Sequence, residues 1–373
     1  MSLITFGIVG AGWRAEFYLR IAQALPQQFR VHTMLVRDKD KALAMEQKWG
    51  VRTVSTVQQF AALAKPHIQF AVVSVPRTAA PAITLELAAE HIPVLAETPP
   101  ASDLQSLTAL FESIPQLAKV QVAEQYLYQP MHAARIKLAR SGKLGEVNHV
   151  QVSAAHDYHG ISLIRKLLGV SFEQAIIRGE SFASPMIRSG GREGDPTDGE
   201  IISSEQTIAT LRFGDKLGVY DFTREQYFSW VRRDRILVRG SHGEIVGAEA
   251  AYMVDYATPV YSELRRIDTG HNGNLEGYFH RGITNGEEWL YRNPFAPARL
   301  TDDEIAIATS LLHMGEYALD ERPSFYSLAE ASQDHYLALM MQQAIATGQT
   351  VNTQPQIWAK ASMANGGNLQ DNR

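Results

Sequence analysis

The first third of the chain alternates between two hydrophobic periods. Short runs of apolar residues, the first made by Ile4, Phe6, Ile8 and Val9, are separated by stretches in which apolar positions recur at helical spacing. Continuous Val, Ile and Phe runs suit parallel strands covered on both faces. The pattern predicts strands at residues 4–9, 31–36, 51–54, 68–75, 93–96 and 119–123. Helices are predicted between them: one after the first strand, one capped by Asp38 and stopped at Gly50, one over 56–64, one over 78–89, and one opened by a capping box of Ser102 and Gln105. This alternation is the order of a doubly wound parallel sheet, whose ligand lies beyond the strand C-termini.

From about Pro130 the period changes. One more helix ends near Gly142, and strands of alternating or mixed pattern follow at 147–154, 205–213, 217–223 and 235–239, with weaker ones at 252–255 and 263–267. These read as antiparallel and half exposed. Residues 184–199 (SPMIRSGGREGDPTDG) read either as a long mobile loop beside a site or as a disordered tip. Helical spacing returns at 301–319 and 327–347, with Gly348 as a stop, and the tail after Trp358 is polar and reads as loose.

Composition acts mainly by exclusion. A length of 373 residues predicts two domains, each with its own core. Lys+Arg 35 against Asp+Glu 40 gives a net charge of -5, with no long run of one sign to suit a nucleic acid or a charged membrane surface. With no cysteine, disulfides, thiolate zinc sites and thiol nucleophiles are excluded, and a reducing cytoplasm is the expected location. No apolar run approaches the length of a membrane span, and the first strand begins too early for a signal peptide.

The candidate chemistry starts at the end of the first strand. Gly10-Ala11-Gly12-Trp13-Arg14-Ala15 fits G-x-G-x-x-G/A: Gly10 for a sharp turn, Gly12 for close approach of backbone to a pyrophosphate, Ala15 for tight helix packing. The helix N-terminus then presents N–H groups and a partial positive charge to the anion. A glycine pair at a strand end also serves a plain turn. Its place after a strand and before a helix points to dinucleotide binding.

Together with that turn, Val75-Pro76, Glu97-Thr98-Pro99, Leu144-Gly145-Glu146-Val147 and His159 ahead of Leu168-Gly169 resemble the Gfo/Idh/MocA family in order and spacing over most of the chain. The resemblance implies an NAD(P)-dependent oxidoreductase acting on sugars, polyols or their derivatives. It implies a Rossmann domain over 1–123, followed by an α+β substrate-binding and oligomerisation domain over 124–373 with a large, mainly antiparallel sheet. An open sheet face would bury a partner, giving a homodimer or homotetramer.

The same resemblance assigns roles residue by residue. Gly10, Gly12, Trp13, Arg14, Ala15, Arg37, Val75, Pro76, Glu97 and Gln125 would hold the cofactor, with Val75 and Pro76 on the adenosine side and Glu97 on the nicotinamide side. His159 would exchange a proton with the substrate, helped by Asp157 or His156, with Thr98 offering a hydrogen bond. No metal is expected. Ala155 and Ser162 stand where the family carries Asp, Arg77 and Ala80 depart from it after Pro76, and Leu127-Tyr128-Gln129-Pro130 replaces its Arg-Phe-x-Pro.

The departure with the largest consequence is Thr98, which replaces the lysine of the family's Glu-Lys-Pro. Threonine supplies a hydrogen bond and no charge. Loss of acid–base help worth roughly 100- to 10,000-fold raises a barrier by about 3 to 5 kcal/mol. Two further readings therefore stand beside the dehydrogenase: a dinucleotide-binding sensor without turnover, and nicotinamide-assisted glycoside cleavage.

Cofactor choice rests on Val36-Arg37-Asp38. An acid here binds the ribose hydroxyls of NAD, whereas an Arg accommodates the additional phosphate of NADP. Arg37 favours NADP, while a one-residue shift would make Asp38 the ribose ligand and favour NAD. Plainer roles fit other residues. His156 and Asp157 also read as helix caps, His67 and His91 as surface or capping groups, Met340 and Met341 as core, and Tyr227, Trp230, Arg232 and Arg233 as an interface or a polar cleft.

Overall fold

The computed structural model describes residues 3–270 and 277–359. All six residues of β1 (Ile4–Val9) are buried, as a central strand covered on both faces requires. Around it, in chain order, come α1 (Trp13–Ala24), β2 (Phe29–Leu35), α2 (Lys39–Trp49), β3 (Thr53–Val54), α3 (Val57–Ala64), β4 (Phe70–Val73), α4 (Ala80–Ala89), β5 (Val94–Ala96), α5 (Leu104–Ser113) and β6 (Val120–Val122). The strands pair in parallel in the order β3-β2-β1-β4-β5-β6. The order reverses beside β1, which puts a ligand crevice outside the carboxyl ends of β1 and β4.

The rest of the described chain forms α6 (Pro130–Arg140), β7 (Val147–Ser153), α7 (Asp157–Leu168), β8 (Ile176–Ile187), β9 (Ile201–Phe213), β10 (Lys216–Phe222), β11 (Arg235–Gly240), β12 (Gly243–Val246), β13 (Glu249–Met253), β14 (Pro259–Thr269), β15 (Phe279–Asn285), β16 (Glu288–Arg292), α8 (Asp302–Ala318), α9 (Leu328–Thr347) and β17 (Val351–Asn352). The second sheet runs β16-β15-β14-β13-β12-β11-β7-β10-β9-β8-β17. Its pairing is mainly antiparallel, with β7 and β10 parallel. The expected fold class, a doubly wound parallel sheet followed by a large antiparallel one, is therefore realised.

By contacts the chain divides into two compact units. Among the described residues, one comprises those within 1–130, 266–282 and 292–332, and the other those within 131–265, 283–291 and 333–373. In the first, Asp38 caps α2 through the Lys41 N–H at 3.0 Å, and Gly50 closes it in the left-handed region. Helix α8 belongs to this unit and is opened by a capping box of Thr301 and Glu304.

Three expectations are corrected. The capping box of α5 is Asp103 with Ser106, one residue later than Ser102 with Gln105; Ser102 instead donates its hydroxyl to the Asp103 carboxylate at 2.7 Å. The loop expected over 184–199 begins later, because 184–187 lie in β8 and pair with 201–204 of β9. β8 escaped notice because most of its side chains are exposed, so no alternation marks it. β4 is shorter than 68–75. The tail expected to be loose lies, over residues 360–373, outside the described residues, while Trp358 at its start is fully buried and donates Nε1–H to Gln333 Oε1 at 2.8 Å.

Candidate nucleotide cradle and imidazole cluster

In the first unit the glycine turn has the shape its sequence requires. The Gly10 N–H donates to Leu35 O at 2.9 Å, and at φ 113 the residue lies so close to β4 that a Cβ would stand 2.0 Å from Ser74 O. Gly12 is different. It is the N-cap of α1, has ordinary φ of -83, offers no side-chain cap, and an added Cβ would meet nothing within 4 Å. The first turn of α1 thus opens onto free space, as a cradle for a pyrophosphate must. Ala15 is fully buried under the helix, and the Val75 Cγ1 stands 3.2 Å from the Cβ that Gly10 lacks. The residues present fit a dinucleotide.

Beyond β5 the Glu97 carboxylate is held from three sides. Tyr18 Oη donates to Oε1 at 2.5 Å, the Thr98 N–H donates to Oε2 at 3.3 Å, and Arg14 Nε stands 3.7 Å from Oε1. Arg14 Nη1 also pairs with Asp303 Oδ2 at 3.2 Å, and its guanidinium lies over Phe17, 4.9 Å from the ring centroid. With its amide oriented to donate to Ala123 O at 2.9 Å, Gln125 accepts from Arg14 Nη2 at 3.1 Å. Burial opposes the charge on Arg14, but Glu97 and Asp303 outweigh it and hold its pKa above the ordinary value. Burial, then the Glu97 charge, pushes the Tyr18 phenol well above its ordinary pKa.

Thus Arg14, Glu97, Thr98 and Gln125 gather at one place, and a fixed cation stands beside Glu97 although position 98 carries none. Trp13 is half exposed, with its ring edge-on to Phe17 at 4.6 Å, and is not packed beneath the helix. Arg37 is exposed just past β2 and, with Lys39, Arg52 and Glu46, lines an open groove of about 770 Å³. His67 stacks on His32 at 4.9 Å.

In the second unit α7 begins at Asp157, with His156 as an N-cap whose side chain makes no capping bond. Asp157 has φ 37, in the left-handed region that non-glycine residues rarely adopt. Its N–H donates to Tyr220 Oη at 2.9 Å, and Tyr227 Oη accepts the His156 N–H at 3.1 Å and stands 2.6 Å from His156 Nδ1. Burial, and then the charge of Asp157, raises the Tyr220 pKa. The His156 and His159 rings pack edge to face at 5.2 Å, with His159 only 6% exposed. His156, Asp157 and His159 are therefore one cluster. Among the described residues no group of three or more His, Cys, Asp or Glu is arranged to hold a metal ion.

Sequence reading missed Tyr18, Asp303 and Tyr220, and read Tyr227 as an interface or cleft residue. Tyr18, next to the fingerprint, was within reach of it. Asp303 lies 289 positions from Arg14, and no local pattern links them.

Comparison with known proteins agrees with this geometry. Residues 4–125 match the family GFO_IDH_MocA, described as an oxidoreductase family with an NAD-binding Rossmann fold. A solved levoglucosan dehydrogenase in complex with NADH and levoglucosan superposes with a TM-score of 0.66 at 16% identity, covering 95% of this chain and 100% of that one. A myo-inositol dehydrogenase from Corynebacterium glutamicum ATCC 13032 gives 0.64 at 16% identity, covering 95% and 100%. GenD2 from gentamicin A biosynthesis, in complex with NAD, gives 0.63 at 16% identity, covering 95% and 97%. At these identities the likeness is one of fold. No curated protein matches the chain by sequence. No helix among the described residues is long and apolar enough to cross a membrane.

Proposed function

We propose, from the match of residues 4–125 to the NAD-binding Rossmann fold of the Gfo/Idh/MocA oxidoreductase family, that the chain is an NAD(P)-dependent oxidoreductase of a sugar, polyol or sugar derivative. The carrying observation is the open cradle at Gly12, where the helix N-terminus meets free space. Gly10, Gly12 and Ala15 would seat the pyrophosphate with Trp13 and Arg14 beside it, Val75 and Pro76 would line the adenosine side, and Glu97 and Gln125 the nicotinamide side. Once bound, the nicotinamide supplies the hydride acceptor or donor. His159 exchanges the proton, helped by His156 and Asp157, and Thr98 contributes a hydrogen bond.

Arg37 supports NADP over NAD. Asp38, the competing ribose ligand, already accepts the Lys41 N–H as the cap of α2, while Arg37, Lys39 and Arg52 line the groove past β2 with positive charge. Two of the solved structures named above, GenD2 and the levoglucosan dehydrogenase, are complexes with NAD and NADH respectively. A homodimer or homotetramer through the second sheet and a cytoplasmic location belong to the same proposal; sedimentation and cell fractionation test them.

Fluorescence titration with NADH and NADPH, followed by a panel of sugars and polyols, tests the reading. Binding with net reduction or oxidation supports the oxidoreductase. The neutral Thr98 favours a second reading, a dinucleotide-binding sensor, for which binding without turnover is the expected result. Release of a leaving group without net redox would mean glycoside cleavage.

A further inference from the structure

The segment that carries Tyr227 is fastened to the strand that leads into α7. Thr223 and Gln226 form a capping box around the short 3-10 turn Arg224–Tyr227, and Gln226 Nε2 donates to Ser153 O at 3.1 Å and to Arg233 O at 3.0 Å. Ser153 is the last residue of β7, three positions before His156. Tyr227 is further seated by its ring, 5.3 Å from that of Phe222. The phenol and the imidazole are therefore held by one rigid frame, as a positioned functional group requires.

Two contacts at Tyr227 Oη decide what this frame does. A phenol has one hydrogen and two lone pairs. One lone pair of Tyr227 Oη takes the His156 backbone N–H, and Oη also stands 2.6 Å from Nδ1 of the same residue, a distance suited to O–H···N. Accepting one hydrogen bond strengthens the phenol as a donor in the next. With the phenol donating to Nδ1, the neutral ring carries its own proton on Nε2. Of the two imidazoles in the cluster, His159 is buried at 6% exposure, whereas His156 is partly exposed.

We propose that Tyr227 is a positioning residue that fixes His156 as the Nε2–H tautomer, so that His156 donates a hydrogen bond to the reacting oxygen of the substrate. This deepens the oxidoreductase reading and rests on it. A neutral N–H donor stabilises charge that develops on that oxygen without itself gaining or losing a proton. Proton exchange stays with His159, and Tyr227 acts only through His156. Among the described residues, Asp157, Tyr220, His159 and Arg224 are further polar groups around this turn, and the Asp157 N–H is already given to Tyr220.

Nitrogen NMR of the full chain, labelled with 15N-histidine and measured above the imidazole titration range, tests the tautomer without any substrate. The His156 signals are assigned by their loss in His156→Gln. The expected wild-type spectrum has an unprotonated Nδ1 and a protonated Nε2, and Tyr227→Phe converts this to a mixture. Tyr220→Phe, which removes a neighbouring anchor of the same turn, leaves the His156 signature unchanged. A protonated Nδ1 in the wild type, or an unaltered spectrum in Tyr227→Phe, overturns the proposal. On whichever sugar or polyol is turned over, Tyr227→Phe lowers kcat by roughly tenfold or more while KM and dinucleotide affinity stay near wild type. An unchanged kcat overturns the role at the reacting oxygen. If no sugar or polyol is turned over, the oxidoreductase reading and the substrate role fail together, and the NMR result still decides the tautomer.

Discussion

Tyr18 Oη donates to Glu97 Oε1 at 2.5 Å, tying the second turn of α1 to the end of β5. The phenol is fully buried, and the bond fixes the carboxylate that also meets Arg14. Tyr18→Phe keeps the ring and deletes the donor. The expected loss is about 1.5 to 3 kcal/mol, the range for a hydrogen bond to a charged group. A lowered urea midpoint at unchanged slope is the measurement, and an unmoved midpoint would show that Arg14 and the Thr98 N–H suffice to hold Glu97.

The two fingerprint glycines make opposite predictions. Gly10→Ala forces a Cβ to 2.0 Å from Ser74 O at φ 113, so the protein should lose stability by at least about 1 to 3 kcal/mol. At Gly12 an added Cβ meets no protein atom within 4 Å, so Gly12→Val should melt near wild type. It should nevertheless bind NADH and NADPH roughly tenfold or more weakly, because the side chain fills the space meant for phosphate. Thermal melting beside nucleotide titration separates the two effects, and undiminished binding in Gly12→Val would remove the cradle.

Acid should destabilise the first unit through His313. The ring packs edge-on against Tyr128 at 5.1 Å and Phe325 at 5.6 Å, and its Nδ1 has no hydrogen-bond partner among the described residues. Burial, with a smaller contribution from the Arg322 charge, lowers its pKa to about 3. The unfolded chain therefore binds a proton near pH 6.5 that the folded chain refuses until about pH 3. The stabilisation is complete above the unfolded pKa and is lost as pH falls, by about 1.4 kcal/mol per pH unit. His313→Phe should flatten the acid limb of stability against pH by one proton, read from urea midpoints across that range.

In the second unit Arg165 Nη1 meets Asp334 Oδ1 at 2.5 Å, with side chains 1% and 0% exposed. Asp334→Asn removes the negative charge facing a buried guanidinium, which keeps its bond to Ser171 O, and should cost about 3 to 5 kcal/mol. Replacing both by apolar residues, Arg165→Met with Asp334→Leu, should recover much of the loss. Equal stability of Asp334→Asn and wild type in guanidinium unfolding would contradict the assignment.

Elements whose cause is local were legible in the chain. β1 is apolar at nearly every position because both its faces are covered, Asp38 and Gly50 bracket α2 by capping and left-handed geometry, and Gly10 marks a turn that few other residues permit. β8 was illegible for the converse reason. Most of its side chains are exposed, and it is a strand because β9 hydrogen-bonds it along its whole length.

By itself, then, the sequence determined the alternating strands and helices, the glycine cradle and the cluster of His156, Asp157 and His159, since each is written in neighbouring residues. Tertiary structure alone decided that Arg14 meets Asp303, that Tyr18 grips Glu97, and that Tyr220 and Tyr227 anchor the first turn of α7. Those partners are separated by 63 to 289 positions. Burial and hydrogen bonding select them through strand order and packing, which no window along the chain contains.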